Sequence, residues 1–185
     1  SRRRLQGTGD NGESASTQVV HHGSAEDLRT WLPEASIDLC ITSPPYWDIL
    51  GQKRTADYKS IRHYGNHAGD ISLQPSYEAY LDALAVVFGD VWHTLKPGAH
   101  CCIVVMDLRK KDQFYPLHSD LATKLQTVGY KFDDLIIWNR QSEYNSLRPL
   151  GYPAVFRINK VHEYIVLMQK PGRLGRQMQT DASGS

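Results

Sequence analysis

The stretch from Tyr77 to Leu95 repeats apolar side chains at every third or fourth position, and it limits the fold more than any other feature. This spacing predicts a helix with one apolar stripe, which must be buried against another layer of structure. Ser76 is a suitable N-cap, and Lys96-Pro97-Gly98 predicts the end of the helix. A fold with a layer opposite this stripe is therefore required.

Short apolar runs on both sides of this helix are typical of buried strands. Leucines spaced by four residues predict a second long helix from Leu117 to Val128, closed by Gly129, and Glu26–Leu32 predicts a short one. The predicted strands are Val19–His22, Ile37–Thr42, Cys101–Met106, Leu135–Trp138 and Tyr164–Met168. Strands that alternate with helices predict an α/β fold with helices on both faces of the sheet.

The composition is that of an ordinary globular chain. Its 185 residues are 41% hydrophobic and 22% charged, with a net charge of +1, and they contain no apolar run long enough to span a membrane. The three cysteines, Cys40, Cys101 and Cys102, form a poor disulfide framework and predict buried thiols in a reducing compartment. We therefore expect a cytoplasmic protein, associated with the nucleoid if it is bacterial.

The polar segments define the domain limits. Residues 1–17 are rich in Gly and Ser and predict a flexible arm, residues 18–171 one domain, and residues 172–185 a tail. The polar loop 48–75 contains His63-x₃-His67, a spacing that could suit a metal. No cluster of Cys or carboxylate residues accompanies the two histidines, so we expect them to be solvated and expect no metal site. Residues 145–157 predict another loop.

The hexapeptide Thr42–Trp47, TSPPYW, follows the strand Ile37–Thr42 directly. Ligands of open α/β sheets bind beyond the carboxyl ends of the strands, where this hexapeptide lies. Each proline holds the residue before it in an extended conformation and lacks an N–H. The Ser43 hydroxyl and the nearby carbonyls therefore form a rigid row of acceptors beside the rings of Tyr46 and Trp47. This arrangement suits a planar group with an amine, such as a nucleobase.

Ser43-Pro44-Pro45-Tyr46 resembles the catalytic tetrapeptide of the DNA amino-methyltransferases, which methylate cytosine N4 or adenine N6 with S-adenosylmethionine. Its serine is typical of the cytosine-N4 enzymes. Further segments resemble this family in the same order along the chain: Val20–Ala25, Trp92–Gly98, Met106–Arg109, Ile136–Asn139 and His162–Ile165. The resemblance implies a Rossmann-like sheet and a target base that is flipped out of the DNA duplex.

The resemblance also implies roles for individual residues. Ser43, Pro44, Pro45 and Tyr46 are expected to be catalytic, while Trp47 and Trp138 would line the base pocket. Trp138 is equally compatible with core packing. Contacts to the methyl donor are expected from Gly23, Ser24, Thr42 and Asp107. The family often has Asp in place of Ser24, and Asp107 is also compatible with a turn cap or a substrate contact.

DNA is the expected partner, and its phosphates would be bound by local clusters of cations. The candidates are Lys53, Arg54, Arg62, Arg109, Lys110 and Lys111. By default such residues form a solvated surface, but the run Arg109–Lys111 follows a predicted catalytic strand. We therefore expect phosphate contacts at this run.

One element of the family is missing from the sequence. The family binds its methyl donor with a strand, a Gly-rich turn and a helix, and the only formal match is Gly7–Gly12. The motif requires a strand before it and a helix after it, and the sequence predicts neither around this segment. We therefore expect the first strands of the sheet to be absent and a second chain or a missing segment to supply the donor-binding half.

The sequence leaves several functions open. The favoured one is methylation of cytosine N4 in DNA, with the chain as the catalytic half of a split or incomplete enzyme. Adenine N6 or RNA could be the target instead. A non-catalytic relative that binds nucleic acid or an active partner is the third alternative, which the missing donor motif favours.

Overall fold

The computed structural model describes residues 2–6, 17–47, 70–110, 112–142, 149–150, 157–158 and 160–172. The helices are α1 (Leu28–Trp31), α2 (Tyr77–Thr94) and α3 (Leu117–Val128), with 3₁₀ turns at Ala25–Asp27 and Ile71–Leu73. The strands are β1 (Arg2–Gln6), β2 (Thr17–His21), β3 (Ile37–Thr42), β4 (Leu95–Val105), β5 (Leu108–Lys110), β6 (Gln113–Tyr115), β7 (Lys131–Asn139), β8 (Pro149–Leu150), β9 (Arg157–Ile158) and β10 (His162–Gln169).

Helix α2 forms as predicted from its apolar stripe. The Ser76 hydroxyl accepts a hydrogen bond from the Ala79 N–H at 3.1 Å, which caps the first turn. The stripe is buried along the whole helix, from Tyr77 and Tyr80 to Val91. It packs against α3 and the sheet in one hydrophobic core.

The end of α2 differs from the prediction in one respect. Lys96-Pro97-Gly98, predicted as a stop, already belongs to β4, because Leu95 turns directly into an extended conformation with ψ of 141°. Gly98 has φ of +86°, which favours glycine, and its N–H donates to the Lys170 carbonyl at 2.8 Å. The buried Lys170 ammonium donates to the Leu95 carbonyl at 2.7 Å, and this bond holds the junction between helix and strand.

Helix α3 also ends where the sequence predicts. Gly129 adopts φ of +115°, and its N–H donates to the carbonyls of Leu125 and Gln126. The leucines of α3, Leu117, Leu121 and Leu125, are fully buried. The chain then reverses through Tyr130 into β7.

The main sheet has the order β3-β4-β10-β7. β3 is parallel to β4, whereas β10 is antiparallel to both of its neighbours, so β3, β4 and β7 end at one edge. We call this edge the carboxyl edge; β10 begins there. The predicted α/β class is confirmed, and the cysteines are free thiols, with Cys101 buried and Cys40 and Cys102 half-buried.

The described helices cover one face of the sheet, although helices on both faces were expected. On the covered face, Cys101, Ile103 and Val105 of β4 are buried against the helices. The opposite face has an apolar surface that we call the bare face, with Leu39, Ile41, Ile136 and Trp138 exposed to between 41% and 69%. In the described sheet β3 pairs with β4 alone, so its other edge has no strand partner.

The N-terminal segment corrects the prediction. Arg2–Gln6 was placed in a flexible arm, but it forms β1 and pairs with β2 in an antiparallel ladder from Arg2–His21 to Gln6–Thr17. The pairing partner lies eleven or more residues away, so composition alone did not reveal the strand. Residues 7–16, which include the Gly-rich segment, lie outside the described residues.

Candidate active site

The Ser43-Pro44-Pro45-Tyr46 segment leaves β3 at the carboxyl edge, as predicted. Ser43 is exposed, whereas Pro44 is buried and Pro45 and Tyr46 are half-buried. Tyr46 packs against the hydrophobic core. The hydroxyl of Ser43 therefore lies at the surface on a segment whose following residues are anchored in the protein.

Helix α2 fixes the position of this segment. The Tyr80 ring is fully buried, and its hydroxyl donates to the Pro45 carbonyl at 2.9 Å. Because neither proline can donate a backbone hydrogen bond, this contact ties the segment to α2 through an acceptor. The apolar stripe of α2 thus reaches the predicted catalytic residues directly.

Trp47 supports the site from within the core. Its side chain is only 6% exposed, and its indole N–H donates to the Gln74 carbonyl at 2.8 Å. Its ring contacts Tyr77 and Tyr115, with centroids 5.7 and 5.4 Å away, and the Lys110 ammonium lies 4.1 Å from its centroid. Its place in the base pocket remains a prediction, and the burial favours a supporting wall over a stacking face.

Tyr77 extends this aromatic cluster toward α3. Its hydroxyl donates to Asp120 Oδ2 at 2.9 Å. Burial and this carboxylate raise the pKa of Tyr77 far above its usual range, so the phenol stays protonated. A neutral hydrogen-bonded phenol serves here to join α2 to α3 beneath Trp47.

Trp138 lies farther along the carboxyl edge. It is near the end of β7, pairs with Glu163 of β10 and is 41% exposed on the bare face. Arg140 lies 4.8 Å from its ring centroid and forms an ion pair with Glu163 at 2.5 Å. Three strand spacings of about 4.8 Å separate β7 from β3, or roughly 14 Å, so Trp138 does not adjoin Ser43 directly.

The predicted donor contacts near the N-terminus have structural roles. A Cβ atom on Gly23 would collide with the Trp31 ring, and the Ser24 hydroxyl accepts from the Glu26 N–H at 3.2 Å as a helix cap. The following helix, α1, contacts α2 through Arg29, whose guanidinium is 3.6 Å from Asp90. Ten residues of α2, about 15 Å, separate Asp90 from Tyr80.

The other two predicted donor contacts, Thr42 and Asp107, lie at the carboxyl edge. Thr42 ends β3, and Asp107 follows β4 with its carboxylate engaged by His118 and Lys160. Gly23, by contrast, lies against Trp31 of α1, and Ser24 caps the turn that precedes this helix. The donor contacts of all four residues remain predictions.

Part of the predicted phosphate-binding set is described. Arg109 and Lys110 lie on β5, which forms a hairpin with β6 next to the carboxyl edge. The Arg109 guanidinium lies 5.3 Å from the Phe114 centroid on the other strand. Lys53, Arg54, Arg62 and Lys111 lie outside the described residues, as do His63 and His67.

Sequence reasoning missed the neighbours of Asp107. His118, Lys160 and Tyr164 surround this carboxylate, although they are separated from it by 11 to 57 positions in the chain. They come from α3, from the segment just before β10, and from β10 itself. The local sequence around each of these residues gives no sign of a shared site. The cluster forms only when the fold brings α3 and β10 next to the end of β4.

Comparisons with known proteins identify the family. The family model described as DNA methylase, N6_N4_Mtase, matches residues 37–182. The chain belongs to this family. The predicted family is thereby confirmed, and S-adenosylmethionine agrees with it as the expected cofactor.

Two curated relatives in this DNA methylase family are archaeal type II methyltransferases. M.MjaVI of Methanocaldococcus jannaschii is 30% identical over 115 residues, which cover 62% of this chain and 51% of the relative. M.MthZI of Methanothermobacter thermautotrophicus is 26% identical over 180 residues, which cover 89% of this chain and 47% of the relative. The chain therefore spans about half the length of these relatives.

Solved structures show the same partial coverage. TTHA0409 of Thermus thermophilus, solved with S-adenosyl-L-methionine, has a TM-score of 0.55 at 29% identity and covers 85% of this chain and 55% of the other. The cytosine-N4-specific PvuII DNA methyltransferase has a TM-score of 0.55 at 18% identity, and the match covers 80% of this chain and 47% of the PvuII enzyme. At this identity, the similarity to the PvuII enzyme supports only the Rossmann-like fold.

The Tyr80–Pro45 hydrogen bond yields a prediction for stability and activity. Tyr80→Phe leaves the half-buried Pro45 carbonyl without this donor, so we expect the free energy of unfolding to fall by about 0.5–1.5 kcal/mol. We also expect slower methyl transfer, because the catalytic segment loses its tie to α2. Urea unfolding and single-turnover methylation measure the two effects.

A matched control separates these effects. Tyr130 makes the same kind of bond, from its hydroxyl to the Phe88 carbonyl at 2.9 Å, away from the catalytic segment. Tyr130→Phe is expected to lower stability similarly and to leave the rate of transfer unchanged. Equal loss of activity in both variants would contradict a positioning role for Tyr80.

Proposed function

We propose that this chain is the catalytic and base-binding part of a DNA amino-methyltransferase that uses S-adenosylmethionine, with cytosine N4 as the favoured target. The observation that carries the proposal is the exposed Ser43 at the carboxyl end of β3, followed by a Pro-Pro segment that α2 holds in place. Family membership supports the same conclusion. Since the enzyme acts on DNA, we expect it in the cytoplasm.

The acceptors of the segment would act on the target amine. The lone pair of an exocyclic amine is delocalised into the base, which makes the nitrogen a poor nucleophile. The Ser43 hydroxyl and the Pro44 carbonyl would each accept one N–H, favour a pyramidal nitrogen and stabilise the positive charge that develops as the amine takes the methyl group. The flipped base would stack on Tyr46, which Trp47 supports from the core.

The methyl donor would be held by a complementary half of the enzyme, in a second chain or in further residues of this protein. The chain spans about half the length of its relatives, and two of the predicted donor contacts, Ser24 and Asp107, are engaged within the chain. The partner would carry a strand, a Gly-rich turn and helices. Its strand would pair with the open edge of β3, and its helices would cover Leu39 and Ile41 on the bare face.

The identity of the methylated base tests this function. The assembled enzyme is incubated with S-adenosylmethionine labelled on the methyl group and with duplex DNA, and the nucleosides are then separated. We expect label in N4-methylcytosine. Label in N6-methyladenine would move the target to adenine, label in RNA alone would change the substrate, and no label in any nucleic acid would favour a non-catalytic subunit.

A further inference from the structure

A buried carboxylate lies at the end of β4, one strand away from Ser43. The Asp107 side chain is 3% exposed, and both of its oxygens are engaged. Oδ1 lies 2.6 Å from His118 Nδ1 and accepts from the His118 backbone N–H at 3.4 Å, while Oδ2 accepts from the Lys160 ammonium at 3.2 Å. A carboxylate in this position orients the imidazole and favours the tautomer with the proton on Nδ1.

The His118 ring is fixed on its other side by Tyr164. The two rings are stacked, with centroids 4.1 Å apart and planes 18° from parallel. Burial and the Asp107 charge raise the pKa of Tyr164, which keeps its hydroxyl protonated next to His162 Nε2 at 3.2 Å. The His118 side chain remains 21% exposed, and within the described parts of the chain no partner contacts its Nε2.

The pair lies at the same edge of the sheet as the catalytic segment. Thr42 and Ile103 are register partners in the parallel strands β3 and β4, so Ser43 is level with Val104, and Asp107 follows three residues, or at most about 10 Å of chain, farther along at the same edge. Neighbouring strands are about 4.8 Å apart. The Tyr115 ring, three residues before His118, contacts Trp47 and connects the two regions.

We propose that His118 accepts the proton that the target amine loses during methylation, directly or through one water molecule, and that Asp107 positions it. The inference rests on the proposed function. The amine nitrogen forms a bond to the methyl carbon while the sulfonium of the donor loses that carbon and keeps the electron pair of the broken bond. One N–H proton then passes to His118 Nε2, and the Asp107 carboxylate stabilises the imidazolium.

Charged and aromatic groups surround the ring. The Asp107 carboxylate lies against the imidazole and is shared with the Lys160 ammonium, while the Tyr164 ring is stacked on it. His162 is the next titratable group beyond Tyr164, and Asp120 on α3 accepts from Tyr77. Only a neutral imidazole has a free lone pair on Nε2, and that lone pair is what the proton would bind.

The tautomer can be measured without methyl transfer. Nitrogen-15 NMR of the full chain is expected to show neutral His118 with its proton on Nδ1, and this preference should weaken in Asp107→Asn. A neutral ring with its proton on Nε2 would overturn the inference, because that nitrogen could not accept.

Activity provides the second readout, in the assembled enzyme. His118→Ala is expected to slow single-turnover transfer about 10²-fold and to regain part of its rate when imidazole is added. The control is His93→Ala, which removes an imidazole 3.8 Å from the Glu34 carboxylate at the far end of α2 from Tyr80 and should leave the rate unchanged. Normal transfer by His118→Ala overturns only the proton-acceptor role, whereas no transfer by the wild-type enzyme overturns the proposed function and this inference with it.

Discussion

Ser43→Ala is expected to slow methyl transfer on the order of 10²-fold or more, with little change in the fold or in DNA affinity. The hydroxyl is exposed at the end of β3, so its removal leaves no buried group unpaired and no cavity. Its hydrogen bond matters mainly when positive charge develops on the amine, which is why the rate should fall more than binding. Single-turnover methylation and DNA binding by the assembled enzyme measure the two quantities.

Ser36 provides the control at the other end of the same strand. Its hydroxyl donates to the Pro33 carbonyl at 2.8 Å, close to the start of β3. Ser36→Ala should transfer the methyl group at the wild-type rate. Undiminished transfer by Ser43→Ala would remove the serine from the mechanism.

The second large effect concerns the methyl donor. We expect the isolated chain to bind S-adenosylmethionine weakly or not at all, and a co-expressed donor-binding half to restore tight binding. Two of the four predicted donor contacts are engaged by the chain itself, through the Ser24 cap and the Asp107 pairs. Calorimetric titration of the chain, alone and in complex, is the measurement.

The bare face offers a variant that should prevent this assembly. Ile41 is 69% exposed beside the open edge of β3, and Ile41→Lys would place a charge where the partner is expected to pack. Val86→Lys is the matched control, because Val86 is 64% exposed on α2, away from that face. Tight stoichiometric donor binding by the isolated chain, or assembly that tolerates Ile41→Lys, would contradict the proposed division of the enzyme.

Local patterns predicted most of the fold. The start of α2 and the end of α3 follow from Ser76 and Gly129, because caps and left-handed turns depend on neighbouring residues. Local patterns could not predict that β4 starts as early as Leu95 or that β1 exists. The first depends on the Gly98–Lys170 contact and the second on pairing with β2, and both join residues distant in sequence.

The site was predictable to a similar degree. The position of Ser43 at a strand end follows from the order of Ile37–Thr42 and the two prolines. The burial of Trp47 depends on Gln74, Tyr77 and Tyr115, which approach it only through tertiary packing. Local sequence therefore placed the proposed catalytic segment at the end of β3 but did not reveal the residues that hold it.

The place of β10 in the sheet has a consequence for biosynthesis. This strand, His162–Gln169, is translated after β3, β4 and β7, yet it lies between β4 and β7 and pairs with both. The ribosome adds about 5–20 residues per second, so β7 has no pairing strand until β10, which ends at residue 169, has been synthesised. The sheet is therefore completed late, through contacts between distant parts of the chain, which slows folding. A premature stop before residue 162 would remove β10, and the truncated chain, whose β4 and β7 would then lack a shared partner strand, is expected to be degraded.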